Sequence, residues 1–133
     1  MRHLGIDYGS KRVGIALSDI EGKMAFPKAV LPNNRYLISD IVALCKAQEV
    51  KVIVVGESKD FNMNDNPILA SAKFFAEQVG RETGCEVLFE PEYMTSHQAE
   101  RTNFELKGSN AMLDASAATI ILQSYLDKKD SKK

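Results

Sequence analysis

The pattern of apolar and polar positions follows two grammars. Leu4 to Asp7 and Arg12 to Ser18 alternate or run apolar around a Tyr8-Gly9-Ser10 turn, which predicts an antiparallel hairpin. A third strand, from about Lys23 to Leu31, follows the Glu21-Gly22 turn. Pro27 assigns that strand to a sheet edge, where a missing N–H costs little. After Asn33-Asn34, a helix-cap signal, the period changes. Leu37, Ile38, Ile41, Val42, Leu44 and Cys45 fall at helical spacing and predict an amphipathic helix ending near Glu49. The unbroken β-branched run from Lys51 to Ser58 predicts a central strand covered on both faces.

Pro67 opens a second helix whose stripe is Ile68, Leu69, Ala72, Phe75, Ala76 and Val79, with Gly84 as its stop. Cys85 to Glu90 is too short for a helix and reads as a fifth strand. Thr95 with Gln98 forms a capping box for a third helix that Gly108 ends. A last helix is expected from about Ala111 to Leu126, burying Leu113, Ala117, Ile120, Ile121 and Tyr125. Three antiparallel strands followed by α-β-α-β predict an α/β fold: a five-stranded mixed sheet, three strands antiparallel and then two parallel, with helices on both faces. The right-handed crossover rule sets the fourth strand parallel beside the first, so Asp7 and Glu57 stand at neighbouring C-terminal strand ends.

Composition narrows the class. At 133 residues the chain suits a single domain, taken as residues 1–127, followed by a flexible charged tail at 128–133. Apolar and charged fractions of 44% and 26% are those of an ordinary globular protein. No apolar run suits a membrane span or a signal peptide, so the expectation is a cytoplasmic protein with no membrane partner, a monomer or weak homodimer. Cys45 and Cys85 have no Cys-x-x-Cys or His partner at metal spacing and read as small buried hydrophobes. A formal charge of −1 gives no broad basic footprint, so any nucleic-acid contact must be local.

Asp7 ends what should be the central strand. Taken alone it fits either a ligand for a divalent cation or a cap on the Tyr8-Gly9 turn. Asp114 lies among Ala115, Ser116, Ala117 and Ala118, small residues that let a helix press on a sheet, although an acid in a first helical turn also suits the helix dipole. Glu90 and Glu92 follow the fifth strand. Carboxylates from these three places could hold two Mg²⁺ or Mn²⁺ ions about 4 Å apart, bridged by Asp7, the arrangement that cleaves phosphodiesters. Lys11 and Arg12 would position phosphate, or form a solvated hairpin pair. His3 is expected to be packed or half exposed; His97 could approach a leaving group but reads as a surface residue; Ser10 lacks a partner for nucleophilic catalysis.

The stretches "GIDYGSKRVGIALSD", "VIVVG", "NMNDNP", "TSHQAE" and "DASAATIILQSYL" resemble, in that order and spacing, the YqgF (RuvX) family. The resemblance covers essentially the whole chain. It implies the RNase H-like fold of the Holliday-junction resolvase superfamily and a metal-dependent nuclease that trims the 5′ end of pre-16S rRNA, with branched-DNA resolution as the older assignment. Carried over by residue, it implies Asp7, Glu92 and Asp114 as catalytic metal ligands. The family's Asp-Glu-Arg-x-Thr-Thr stretch reads here Pro91-Glu92-Tyr93-Met94-Thr95-Ser96, which keeps the Glu and loses the Asp and Arg. Its Gly-Leu-Pro becomes Gly56-Glu57-Ser58, so Glu57 offers a second middle acid. Two other classes stand beside the nuclease. One is a nucleic-acid-binding member that has lost turnover. The other takes Gly5-x-Asp7-x-Gly9 as the phosphate loop of a sugar-kinase or actin-like ATPase, which needs two such domains where this chain has length for one.

Overall fold

The computed structural model describes the backbone of residues 1–9, 11–59, 67–93 and 110–131, and the side chains of 1–9, 11–56, 71–90 and 117–129. The chain begins with three strands, β1 (Arg2–Tyr8), β2 (Arg12–Ser18) and β3 (Ala25–Pro32). It continues through α1 (Leu37–Ala47), β4 (Val50–Lys59), α2 (Pro67–Thr83), β5 (Glu86–Tyr93) and a long helix, α3 (Asn110–Ser131). The strands form one five-stranded sheet in the order β3-β2-β1-β4-β5. β1 pairs antiparallel with β2 and parallel with β4, and β4 pairs parallel with β5, as the sequence grammar predicts. β3 is an edge strand, and its register against β2 shifts beside Pro27. The expected helix between Thr95 and Gly108 lies outside the described residues.

The two faces of the hairpin differ in side-chain size, and that difference sorts the helices. Leu4, Ile6 and Tyr8 on β1, with Val13, Ile15 and Leu17 on β2, face the layer of α1 and α2 and share one core with Ile41, Phe75 and Val79. The alternate positions carry little: Gly5 pairs with Ala16, and Asp7 pairs with Gly14. Onto that flat face α3 lays Ala118, Ile121, Leu122 and Leu126, which pack with Ala16, Ala25, Val52 and Val54. Burying each large aliphatic side chain there contributes about 1.5–3 kcal/mol. A methyl group on Gly5 would stand 2.7 Å from Leu122 Cβ and 2.9 Å from the Ala118 carbonyl oxygen. The helix therefore rests directly on the strand backbone.

Three expectations change in detail. Asn34 is not the N-cap of α1; its Oδ1 accepts the Tyr36 N–H at 2.9 Å, a short turn that precedes the helix, and Tyr36 occupies the cap position. The buried stripe of α3 keeps Ile121 and the partly buried Tyr125 as expected but is centred one position further on. Ala118 and Leu122 form the seam, while Ile120 is 50% exposed. The helix also runs on to Ser131, so much of the segment expected as a flexible tail is helical. His3 is buried, its ring 5.7 Å from that of Tyr125, with Nδ1 donating to the Met1 carbonyl at 3.1 Å. Cys45 and Cys85, both free thiols, meet in the core; burial, with Cys85 as neighbour, pushes the Cys45 thiol up to about 12.

Candidate active site

Parallel pairing of β1, β4 and β5 gathers their C-terminal ends at one edge of the sheet, where open α/β sheets bind ligands. Asp7 stands there, next to last in β1 and half-buried. Strand alternation puts it on the face of His3 and Gly5, the face that α3 covers. Its cross-strand partner on β2 is Gly14. On β4 the register runs Gly5 to Val54 and Ile6 to Val55, so Gly56 follows beside Asp7. With glycine on both neighbouring strands, neither of them puts a side chain beside this carboxylate. Only the pairing register shows that these two glycines flank Asp7.

The turn after Asp7 is braced from β3. Asn33 donates from Nδ2 to the Gly9 carbonyl at 2.7 Å, and its own N–H donates to the Lys11 carbonyl at 2.9 Å. Lys11 and Arg12 are both exposed on this turn, at the same edge as Asp7. A methyl group on Gly9 would approach the Arg12 carbonyl oxygen to 2.5 Å, so the turn closes tightly and holds both cations near the strand end.

Among the candidate middle acids, Glu90 has a definite structural task. It is 4% exposed, accepts from Ser124 Oγ at 3.1 Å and forms an ion pair with Lys128. These bonds tie β5 to α3. The side chains of Glu57, Glu92 and Asp114 lie outside the described residues, although positions 57, 92 and 114 fall within β4, β5 and α3. His97 lies outside them as well. Among the described residues no three His, Cys, Asp or Glu side chains gather as a metal site, and two of the three expected ligands are not among those residues.

Comparison with known proteins gives consistent results. The profile of the RuvX family, described as Holliday junction resolvase, matches residues 1–128. A Nitratidesulfovibrio vulgaris protein named "Putative pre-16S rRNA nuclease" is 31% identical over 139 aligned positions, covering 100% of this chain and 98% of that one. A Listeria monocytogenes protein of the same name is 36% identical over 135 positions, covering 96% and 98%. Among solved structures, Thermus thermophilus RuvC in complex with Holliday junction substrate superposes with a TM-score of 0.62 at 16% identity, covering 98% of this chain and 96% of that one. That likeness shows the fold, an RNase H-like sheet with helices on both faces.

Proposed function

This chain belongs to the RuvX family, and from that premise we propose that it is a divalent-metal-dependent nuclease that hydrolyses phosphodiester bonds in structured RNA, with precursor 16S rRNA as substrate. The observation that carries the reading is the setting of Asp7, a half-buried carboxylate between two glycines at the binding edge of the sheet.

Periodicity supports the other two ligands. Ala118 and Leu122 sit over Gly5, and position 114 lies on the same helical stripe, one turn earlier. The helix runs against the direction of β1, since Tyr125 meets His3 while Ala118 and Leu122 meet Gly5. From Gly5 to Asp7 the strand advances about 6.8 Å, or roughly four to five helical residues, which leads from Ala118 towards position 114. On β5, position 92 shares the alternation of Leu88, which packs towards α3, and of Glu90, which bonds to it. Position 57 shares that of Ile53 and Val55, which belong to the opposite layer. This favours Glu92 over Glu57. Glu90, level with Asp7 across Gly56, is already engaged by Ser124 and Lys128.

Asp7, Glu92 and Asp114 would then hold Mg²⁺ or Mn²⁺; the donor set is all oxygen, as such cations require. Bound there, such ions would supply an activated water and charge stabilisation at the leaving oxygen. The glycines beside Asp7 admit the phosphate, and Lys11 and Arg12 steady the phosphates that flank it. Substrate of this kind places the protein in the cytoplasm. The family description keeps branched DNA as a second substrate.

Purified protein should cut precursor 16S rRNA only when Mg²⁺ or Mn²⁺ is present, and Asp7→Asn should abolish cutting without lowering the melting temperature. Identical cleavage by wild type and variant would refute the site. A four-way DNA junction assayed in parallel decides the substrate: cutting of the junction alone would transfer the activity to branched DNA.

A further inference from the structure

On the opposite face of β1 from Asp7, at the same strand end, lies a cavity of about 610 Å³. Its floor is Tyr8, Leu37 and Phe75, and its rim includes Asn34, Phe74 and Gln78. We propose that this cavity receives a nucleobase of the substrate strand, within one or two nucleotides of the bond that is cut. The proposal rests on the nuclease reading and adds to it a subsite on the other side of the sheet.

Position is the first reason. Tyr8 follows Asp7 directly in β1, and alternation turns its ring to the far face, 4.8 Å from the ring of Phe75. A strand whose phosphate lies at Asp7 therefore needs only to pass the end of β1 to bring its next base over Tyr8. The route crosses the turn that carries the exposed Lys11 and Arg12. Asn33, which also lines the cavity, makes both hydrogen bonds to that turn, at 2.7 and 2.9 Å. Asn33 thus links the cavity wall to the turn.

The second reason is the chemistry of the lining. A nucleobase has two apolar faces and a polar edge, and it arrives attached to an anion. Over the buried Leu37 and Phe75 the cavity offers apolar surface from Tyr8, Ile38 and Phe74, and amide groups from Asn33, Asn34 and Gln78. Of the described residues that line it, only Arg35 is charged, and it is a cation. The Arg35 guanidinium lies 4.9 Å from the centre of the Tyr36 ring and donates to its hydroxyl at 2.8 Å, a charged post at the mouth. Phe74 is 63% exposed on the rim, an aromatic ring left in water where a stacked base would cover it. The volume lies within the roughly 300–1,000 Å³ usual for small-ligand sites.

The test uses the full chain in EDTA, so that nothing is cut, with a short single-stranded oligoribonucleotide carrying one iodouridine as probe. Irradiation should crosslink the probe to Tyr8, Tyr36 or Phe74, as mapped by mass spectrometry. Phe74→Ala, a change at an exposed position, should weaken binding of the probe about tenfold. It should not change the affinity for the same oligonucleotide made abasic at the modified position. Crosslinks confined to other parts of the surface, or unchanged affinity in Phe74→Ala, would overturn the proposal. Cleavage of precursor 16S rRNA is read separately. Crosslinking without cleavage leaves the cavity standing and removes the nuclease, whereas cleavage without crosslinking does the reverse.

Discussion

Gly5 decides how near α3 can come to β1. A methyl group there would collide with Leu122 Cβ and with the Ala118 carbonyl, and the second is backbone, which yields only if the helix lifts. Gly5→Ala should cost about 1–3 kcal/mol in a urea titration. On the proposed site, nuclease activity should fall further than that loss explains, because a lifted helix would draw position 114 away from Asp7. His3 gives a second expectation. Burial lowers its pKa below 6.5; Lys129 and the N-terminal charge add to this, while the bond to Met1 and the charge of Glu86 oppose it. Below pH 6.5 the unfolded chain takes up a proton that the folded one resists, so stability should decline as the pH drops beneath that value. His3→Leu should flatten this part of a plot of melting temperature against pH. Asp7 was legible in the sequence because a carboxylate at the end of an apolar strand is an interruption. That Gly14 and Gly56 flank it was not, because register is a property of pairs of strands.

At the scale of elements, the clearest unforeseen contact joins Glu90 to α3. The charged end of the chain looked like a solvated tail, and Lys128 finds its partner 38 residues away on β5. Lys128→Met should leave a buried carboxylate with Ser124 as its remaining partner from α3, and should lower stability by about 1–3 kcal/mol in urea. Glu90→Gln with Lys128→Met should recover part of that loss, since no charge then stays buried. The centre of the α3 stripe was misread by one position for a related reason. Ile120 and Ile121 are equally apolar in sequence, and the close approach of the helix backbone to Gly5 selects Ala118 and Leu122 for the seam. Elements with a strong period of their own, such as β4 and α2, needed no such outside information.

For the whole molecule, sheet order followed from two rules, hairpin adjacency and crossover handedness, so architecture was readable where individual contacts were not. The cavity beyond Tyr8 was invisible in sequence because β1, α1 and α2 each supply part of it. A net charge of −1 gives no broad basic surface, and on the proposed reading attraction for nucleic acid rests chiefly on Lys11, Arg12 and Arg35 around the end of β1. The logarithm of the binding constant for single-stranded RNA should therefore fall with the logarithm of salt with a slope of about −2, and Lys11→Ala should make it shallower by about 0.7. A slope several times steeper, measured by titration in rising potassium chloride, would reveal a broad basic surface instead. Finally, α3 closes a face begun by the first strands: the Ala25 N–H bonds to Gln123, 98 residues further on. On the ribosome Ala25 therefore emerges 98 residues ahead of its partner, and the face that holds Gly5 and Ala16 stays bare until α3 follows.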